Sequence, residues 1–98
     1  MLPKNMLLYH EKMGLEIYLA SKLCKKTYKE IGKFYEKSEQ AIYHIMQRVI
    51  SDIIKLMELS GKNYIQCIDW LIEYYKPDMN KFYDNFEYTW KAFKLMYS

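Results

Sequence analysis

Two runs of side chains in this sequence are suited to chemistry, one cationic and one polar. Six lysines (Lys22, Lys25, Lys26, Lys29, Lys33 and Lys37) fall within residues 22–37 against only Glu30 and Glu36, a local charge of +4. Such clustering is the electrostatic footprint of a polyanion-binding face, because ammonium groups that neutralise phosphates release condensed counterions. Just beyond it, Gln40, Tyr43, His44, Gln47 and Arg48 recur at intervals that place them on one side of a helix. Glutamine can donate to and accept from adjacent atoms of adenine, a pairing worth about 1–3 kcal/mol of discrimination. Tyr43 can stack on a sugar or meet a thymine methyl, and His44 lies on the line joining the two glutamines. Base readout is therefore expected from Gln40, Tyr43, His44 and Gln47. Phosphate contacts are expected from Lys25, Lys26, Lys29, Lys33, Lys37, Ser38 and Arg48, which would supply position and salt-dependent affinity but not sequence choice. Arg48 is the only arginine, so guanine reading by a guanidinium fork is nearly absent and A·T-rich targets are favoured.

Other chemistries find little to work with. No nucleophile, carboxylate pair or glycine-rich loop can be assembled around His10 or His44, so no catalytic residue and no enzyme is expected. Cys24 and Cys67 form no CxxC pair and do not complete a zinc pattern with the histidines. They read as small buried hydrophobes, with a Cys24–Cys67 disulfide or a metal site as the lesser alternative, and no metal or cofactor is expected. Reduced thiols fit a cytoplasmic location. The N-terminus lacks the basic start and apolar stretch of a signal peptide. No apolar run approaches the roughly 18 residues that span a bilayer.

Helices must position these groups. With 98 residues, 51% hydrophobic and 28% charged, three glycines and two prolines, the chain reads as one globular all-α domain. Residues 5–13 form a short helix candidate. Residues 15–24 carry Leu15, Leu19 and Leu23 at i, i+4, i+8 beside Tyr18, and Lys25-Lys26 ends that helix. Thr27-Tyr28-Lys29-Glu30 reads as a capping box opening a helix over residues 28–35, with Ile31 and Tyr35 inward. Ser38 offers a second N-cap. From Glu39 the stripe Ile42, Ile45, Met46, Val49, Ile53, Leu56, Met57 runs at helical period to a stop at Ser60-Gly61. Residues 63–75 form a further helix, Lys76-Pro77 breaks it, and Asp78 can cap a last helix over 79–97. No segment alternates with period two, so no sheet is expected.

The stretch from Thr27 to Arg48 has the layout of a helix-turn-helix: a capped helix of about eight residues, a turn of about three, then a longer amphipathic helix. Gly32 would let the two helices approach where a side chain would clash. Leu15 to Tyr35, above all Ile17-Tyr18-Leu19-Ala20, Leu23 and Glu30-Ile31-Gly32-Lys33, resembles the C-terminal DNA-binding domain of the bacterial chromosomal replication initiator. With one residue deleted in the turn, Ile42-Tyr43-His44 falls on that family's aliphatic-aliphatic-histidine run. The resemblance covers residues 14–50. The family opens its recognition helix with aspartate-histidine-threonine-threonine, where this chain has Ser38-Glu39-Gln40-Ala41. The resemblance therefore implies the fold and duplex DNA binding but not the target sequence. Tyr28-Lys29-Glu30-Ile31-Gly32 with Ser38-Glu39-Gln40-Ala41-Ile42 is also similar to sigma-factor helix-turn-helices and to the effector domain of the sporulation response regulator.

Residues 62–98 hold eleven of the seventeen aromatic residues. Phe82, Phe86, Trp90, Phe93 and Tyr97 follow i, i+4, i+8, i+11, i+15. Such a stripe can close a monomer core or form a dimer interface, and the expectation here is a two-fold homodimer through residues 79–97. The whole reads as a single domain over 1–98 of five to six helices, with a helix-turn-helix at about 27–58 and an aromatic helical extension over 62–98. The expected function is sequence-dependent binding of double-stranded DNA by a small bacterial or phage transcription or replication regulator. The alternative is a protein-interaction module that keeps the fold and docks on a host protein. Its support is the modest net charge of +3 and the acidic Glu36 and Glu39 beside the turn.

Overall fold

The computed structural model describes residues 6–97, and these contain five helices and no strand. Helix α1 (Glu11–Lys22), α2 (Tyr28–Tyr35), α3 (Glu39–Ser60) and α4 (Tyr64–Tyr75) pack around α3, which touches all three of the others; α5 (Phe86–Tyr97) closes the side formed by α4. The all-α class and the number of helices agree with the sequence pattern.

Local chemistry explains the middle of the chain. Thr27 and Glu30 make the expected reciprocal cap: the Glu30 N–H donates to Thr27 Oγ1 at 3.1 Å and the Thr27 N–H to Glu30 Oε1 at 3.0 Å. Ser38 Oγ accepts the Ala41 N–H at 3.1 Å and opens α3. Between them α2 ends on Glu36, whose φ of 57° is left-handed, and the Lys37 N–H returns to the Gly32 carbonyl at 2.7 Å. A Cβ on Gly32 would run into the Lys37 carbonyl, so glycine is what allows the chain to fold back this tightly. The inward stripe of α3 is fully used: Ile42, Ile45, Met46, Val49, Ile53 and Leu56 are all buried, against Leu15, Leu19, Ile31, Ile68 and Leu71. Each such side chain contributes about 1.5–3 kcal/mol by leaving water. A second capping box, Asn63 with Gln66, opens α4.

Two expected helices are corrected. No α-helix forms over residues 6–10 (residue 5 lies outside the described residues): Met6 is in a 3-10 turn, residues 7–10 are irregular or turn, and α1 begins only at Glu11. The amide groups a helix would use are taken by distant partners: the Leu8 N–H donates to the Tyr75 hydroxyl at 3.0 Å and the Tyr9 N–H to Asp52 Oδ2 at 2.7 Å. His10 and Glu11 then turn the chain with φ of 60° and 47°. The Tyr9 carbonyl lies against Gly14, where any side chain would collide with it. At its other end α1 stops at Lys22, short of Lys25-Lys26. The last helix likewise starts at Phe86, not at residue 79; residues 80–85 are turns and a bend, so no helix begins beside Asp78 for it to cap. Its N–H donates instead to Glu16 Oε2 at 2.9 Å, fixing the α4–α5 connection against α1.

Glu16 is the one buried charged residue among the described residues. At 4% exposure it accepts Lys81 Nζ at 2.6 Å, the Tyr35 hydroxyl at 2.8 Å and the Asp78 N–H. Burial pushes its carboxyl up, but these three bonds together outweigh it and hold the group below its ordinary value. Burial and the same carboxylate push the Tyr35 hydroxyl well above the usual phenol range. Lys81 is held in turn among the rings of Phe34, Tyr35 and Phe82, at 5.2, 5.1 and 5.7 Å from their centroids.

Candidate nucleic-acid interface

The first turns of α3 present their polar side outward. Gln40, Tyr43, His44, Gln47 and Arg48 are all exposed, while Ile42, Ile45, Met46 and Val49 are buried behind them. This division follows from the helical period alone. The Tyr43 ring leans toward Tyr28, the first residue of α2, with centroids 6.3 Å apart, and toward His44 at 5.7 Å. The start of α2 and the outer side of α3 therefore share one surface.

Around it stand the cations. Lys25, Lys29 and Lys33 are exposed along α2 and its approach, and Lys26 and Lys37 are half-buried. None of Lys25, Lys26, Lys29, Lys33, Lys37 and Arg48 forms an ion pair among the described residues. The Ser38 hydroxyl is engaged as the cap of α3. Arg48 packs its guanidinium 4.6 Å from the centroid of the Tyr9 ring. Tyr9 and His10 had no assigned role in the sequence, yet they stand beside Lys37, His44 and Arg48. No periodic signal could have joined residue 9 to residue 48; the link is tertiary.

Most of the aromatic stripe lies against the single chain's own core. Phe86 and Trp90 are 6% and 4% exposed within the single chain, and the Trp90 indole N–H donates to Asp69 Oδ1 at 2.9 Å. Phe93 stacks on Trp90 with centroids 5.6 Å apart, and Phe82 packs on Phe34 and Tyr35. Tyr97 alone of the five is exposed. Phe86 and Trp90 are thus engaged in closing this chain's own core, with Phe82 and Phe93 packed against it. Asp69 also accepts Lys94 Nζ at 2.9 Å; burial raises its carboxyl, and the bonds from Trp90 and Lys94 bring it below the ordinary range.

Cys67 is buried and Cys24 half-buried, and both are free thiols; burial pushes the Cys24 thiol up, against a weaker opposing effect of Lys26. Among the described residues no group of three or more histidine, cysteine or acidic side chains converges as a metal site, and no helix is long and apolar enough to cross a membrane. No protein-family model, curated protein or solved structure matches this chain.

Proposed function

We propose that the protein binds duplex DNA, with α2, the turn at 36–38 and α3 acting as a helix-turn-helix in a small transcription or replication regulator. One observation carries the reading: the exposed side of α3 offers Gln40, Tyr43, His44 and Gln47 in a row, flanked by six cations with no carboxylate partner among the described residues. Cations without a carboxylate partner have no ion pair to break when they meet phosphates, and α3 starts with free N–H groups that favour an anion. In this reading α3 lies in the major groove. Tyr28, Lys29 and Lys25 flank it at the backbone, and Gln40 and Gln47 give a preference for A·T pairs.

The test is fluorescence anisotropy on a labelled random duplex at two salt concentrations. Lys25→Ala, Lys26→Ala and Lys33→Ala combined should weaken binding similarly on every sequence. They should also flatten the salt slope by about one unit for each phosphate left without its lysine. Gln40→Ala and Gln47→Ala should instead change which duplex is preferred. A triple variant that binds as tightly as wild type at low salt would overturn the reading. Failure of the wild type to bind at low salt would leave the fold to a protein partner.

A further inference from the structure

The chain contains two histidines and one arginine, and the fold brings all three to a single groove. Its walls are Tyr9 and His10 on one side and the first turns of α3 on the other, with Lys37 at the turn. The lining is completed by Ala41, His44, Ile45, Gln47 and Arg48, around a volume of about 450 Å³. His10 and His44 are 34 positions apart in sequence, so neighbourhood along the chain does not explain the meeting.

The wall is firmly built. Asp52 and Tyr75 hold the Tyr9 and Leu8 amides, Gly14 receives the Tyr9 carbonyl, and Arg48 packs on the Tyr9 ring. The His10 ring lies edge-on to Tyr9, with centroids 4.4 Å apart. Placing it there requires two successive non-glycine residues at positive φ, His10 and Glu11. Such strain costs on the order of 1–3 kcal/mol per residue, and it persists where surrounding structure fixes it, often at ligand sites.

The charges in the groove share one sign. These are Lys37 from the turn and Arg48 from α3; the His44 imidazole from α3 and the His10 imidazole from the segment ahead of α1 stand beside them, and no carboxylate lines the groove. Outside the lining stand two carboxylates: Asp52 on α3, one turn beyond Arg48, with one oxygen already accepting the Tyr9 N–H, and Glu11, which follows His10 at the start of α1. A guanidinium packed on a ring keeps its in-plane donors for an oxyanion. Imidazoles add positive charge between pH 8 and pH 5, in the range where no other ordinary side chain changes.

We infer that this groove is a phosphate-binding site in which His10 and His44 act with Lys37 and Arg48, so that anion binding strengthens as the two imidazoles take up protons. Resting on the DNA reading above, it assigns the phosphodiester nearest the start of α3 to this groove. It gives His44 a phosphate role beyond base readout, adds His10 to the interface, and makes duplex binding proton-linked.

The experiment measures duplex affinity at pH 6 and pH 8, each at two salt concentrations, with the helical spectrum checked at both. Wild type should bind several-fold more tightly at pH 6, with a salt slope steeper by about one unit per imidazole engaged. His10→Gln and His44→Gln should each reduce this pH dependence, and together remove it. The Lys25, Lys26 and Lys33 triple variant should weaken binding at both pH values and keep the dependence. Equal affinity of wild type at both pH values, or an undiminished dependence in His10→Gln, would overturn the groove and leave the DNA reading standing. Inorganic phosphate titrated into wild type at pH 6 supplies an arm that needs neither DNA nor variants. Movement of both imidazole ring resonances without any duplex binding would keep the groove and defeat the DNA reading. No movement and no duplex binding would defeat both.

Discussion

The lysines of residues 25–37 and those of residues 81–94 have the same chemistry and opposite fates. In the C-terminal set Lys81 meets Glu16 at 2.6 Å, Lys94 meets Asp69 at 2.9 Å and Lys91 meets Glu87 at 3.5 Å. The first two join different helices or loops, and their ammonium groups also lie over aromatic rings, so they serve as fasteners. In the N-terminal set no lysine has such a partner among the described residues. A count of lysines does not separate the two groups. What separates them is whether a carboxylate from a distant part of the chain arrives beside each one.

That contrast can be broken or sharpened by substitution. The largest effect is expected at the hub of the C-terminal set: Trp90→Glu replaces a buried indole with a carboxylate beside Asp69, and should cost about 4 kcal/mol. Urea unfolding with light scattering checks it. A stable variant that merely halves the mass of the wild type would return the stripe to a dimer interface. Glu16→Ala is expected to cost about 3 kcal/mol, because Lys81, the Asp78 N–H and the Tyr35 hydroxyl lose their acceptor together.

The same substitution has a pH signature. The Glu16 carboxyl is held below its ordinary value of 4.5 in the fold. Its contribution is therefore complete above pH 4.5 and lost as pH falls through the lower folded value. Wild type should show a falling acid limb below pH 4.5 that is flatter in Glu16→Ala, measured by urea midpoints between about pH 3 and pH 7.

A smaller effect of opposite sign is expected at the turn. Glu36→Gly should stabilise by about 1 kcal/mol, since Glu36 holds a left-handed conformation that costs a side-chain-bearing residue about that much. A lower thermal midpoint in that variant would mean the Glu36 side chain makes up for its backbone. Smallest of all, Lys29→Ala and Lys33→Ala should leave the unfolding midpoint where it is. If either moved it as much as Glu16→Ala does, the N-terminal lysines would be fasteners as well.

Legibility in the sequence followed the range of the interactions. Thr27, Glu30 and Ser38 act within three residues of themselves, and the bounds of α2 and α3 could be read from them. The exposure of Gln40, Tyr43, His44 and Gln47 followed from one helical period. Asp78 looked like a cap because the local pattern allows it, but Glu16 claims its amide from 62 positions away. Phe82 looked like part of a helical stripe, and the helix begins four residues later. His10 and Glu16 had no periodic neighbours to mark them, and each acquires its meaning from a contact made only when distant helices pack.

The Glu16 cluster also bears on the order of events in folding. Its bonds to Asp78 and Lys81 close loops of 62 and 65 positions, whereas α1, α2 and α3 follow one another directly and pack with short connections. Chain entropy favours forming the near contacts first and the far closure last. Interactions absent from the transition state govern how fast a protein comes apart rather than how fast it assembles. Glu16→Ala should accordingly speed unfolding and leave refolding nearly unchanged in stopped-flow measurements; a slowed refolding limb would place the closure in the nucleus. On this view the carboxylate buried between α1 and the α4–α5 connection sets the lifetime of the native state.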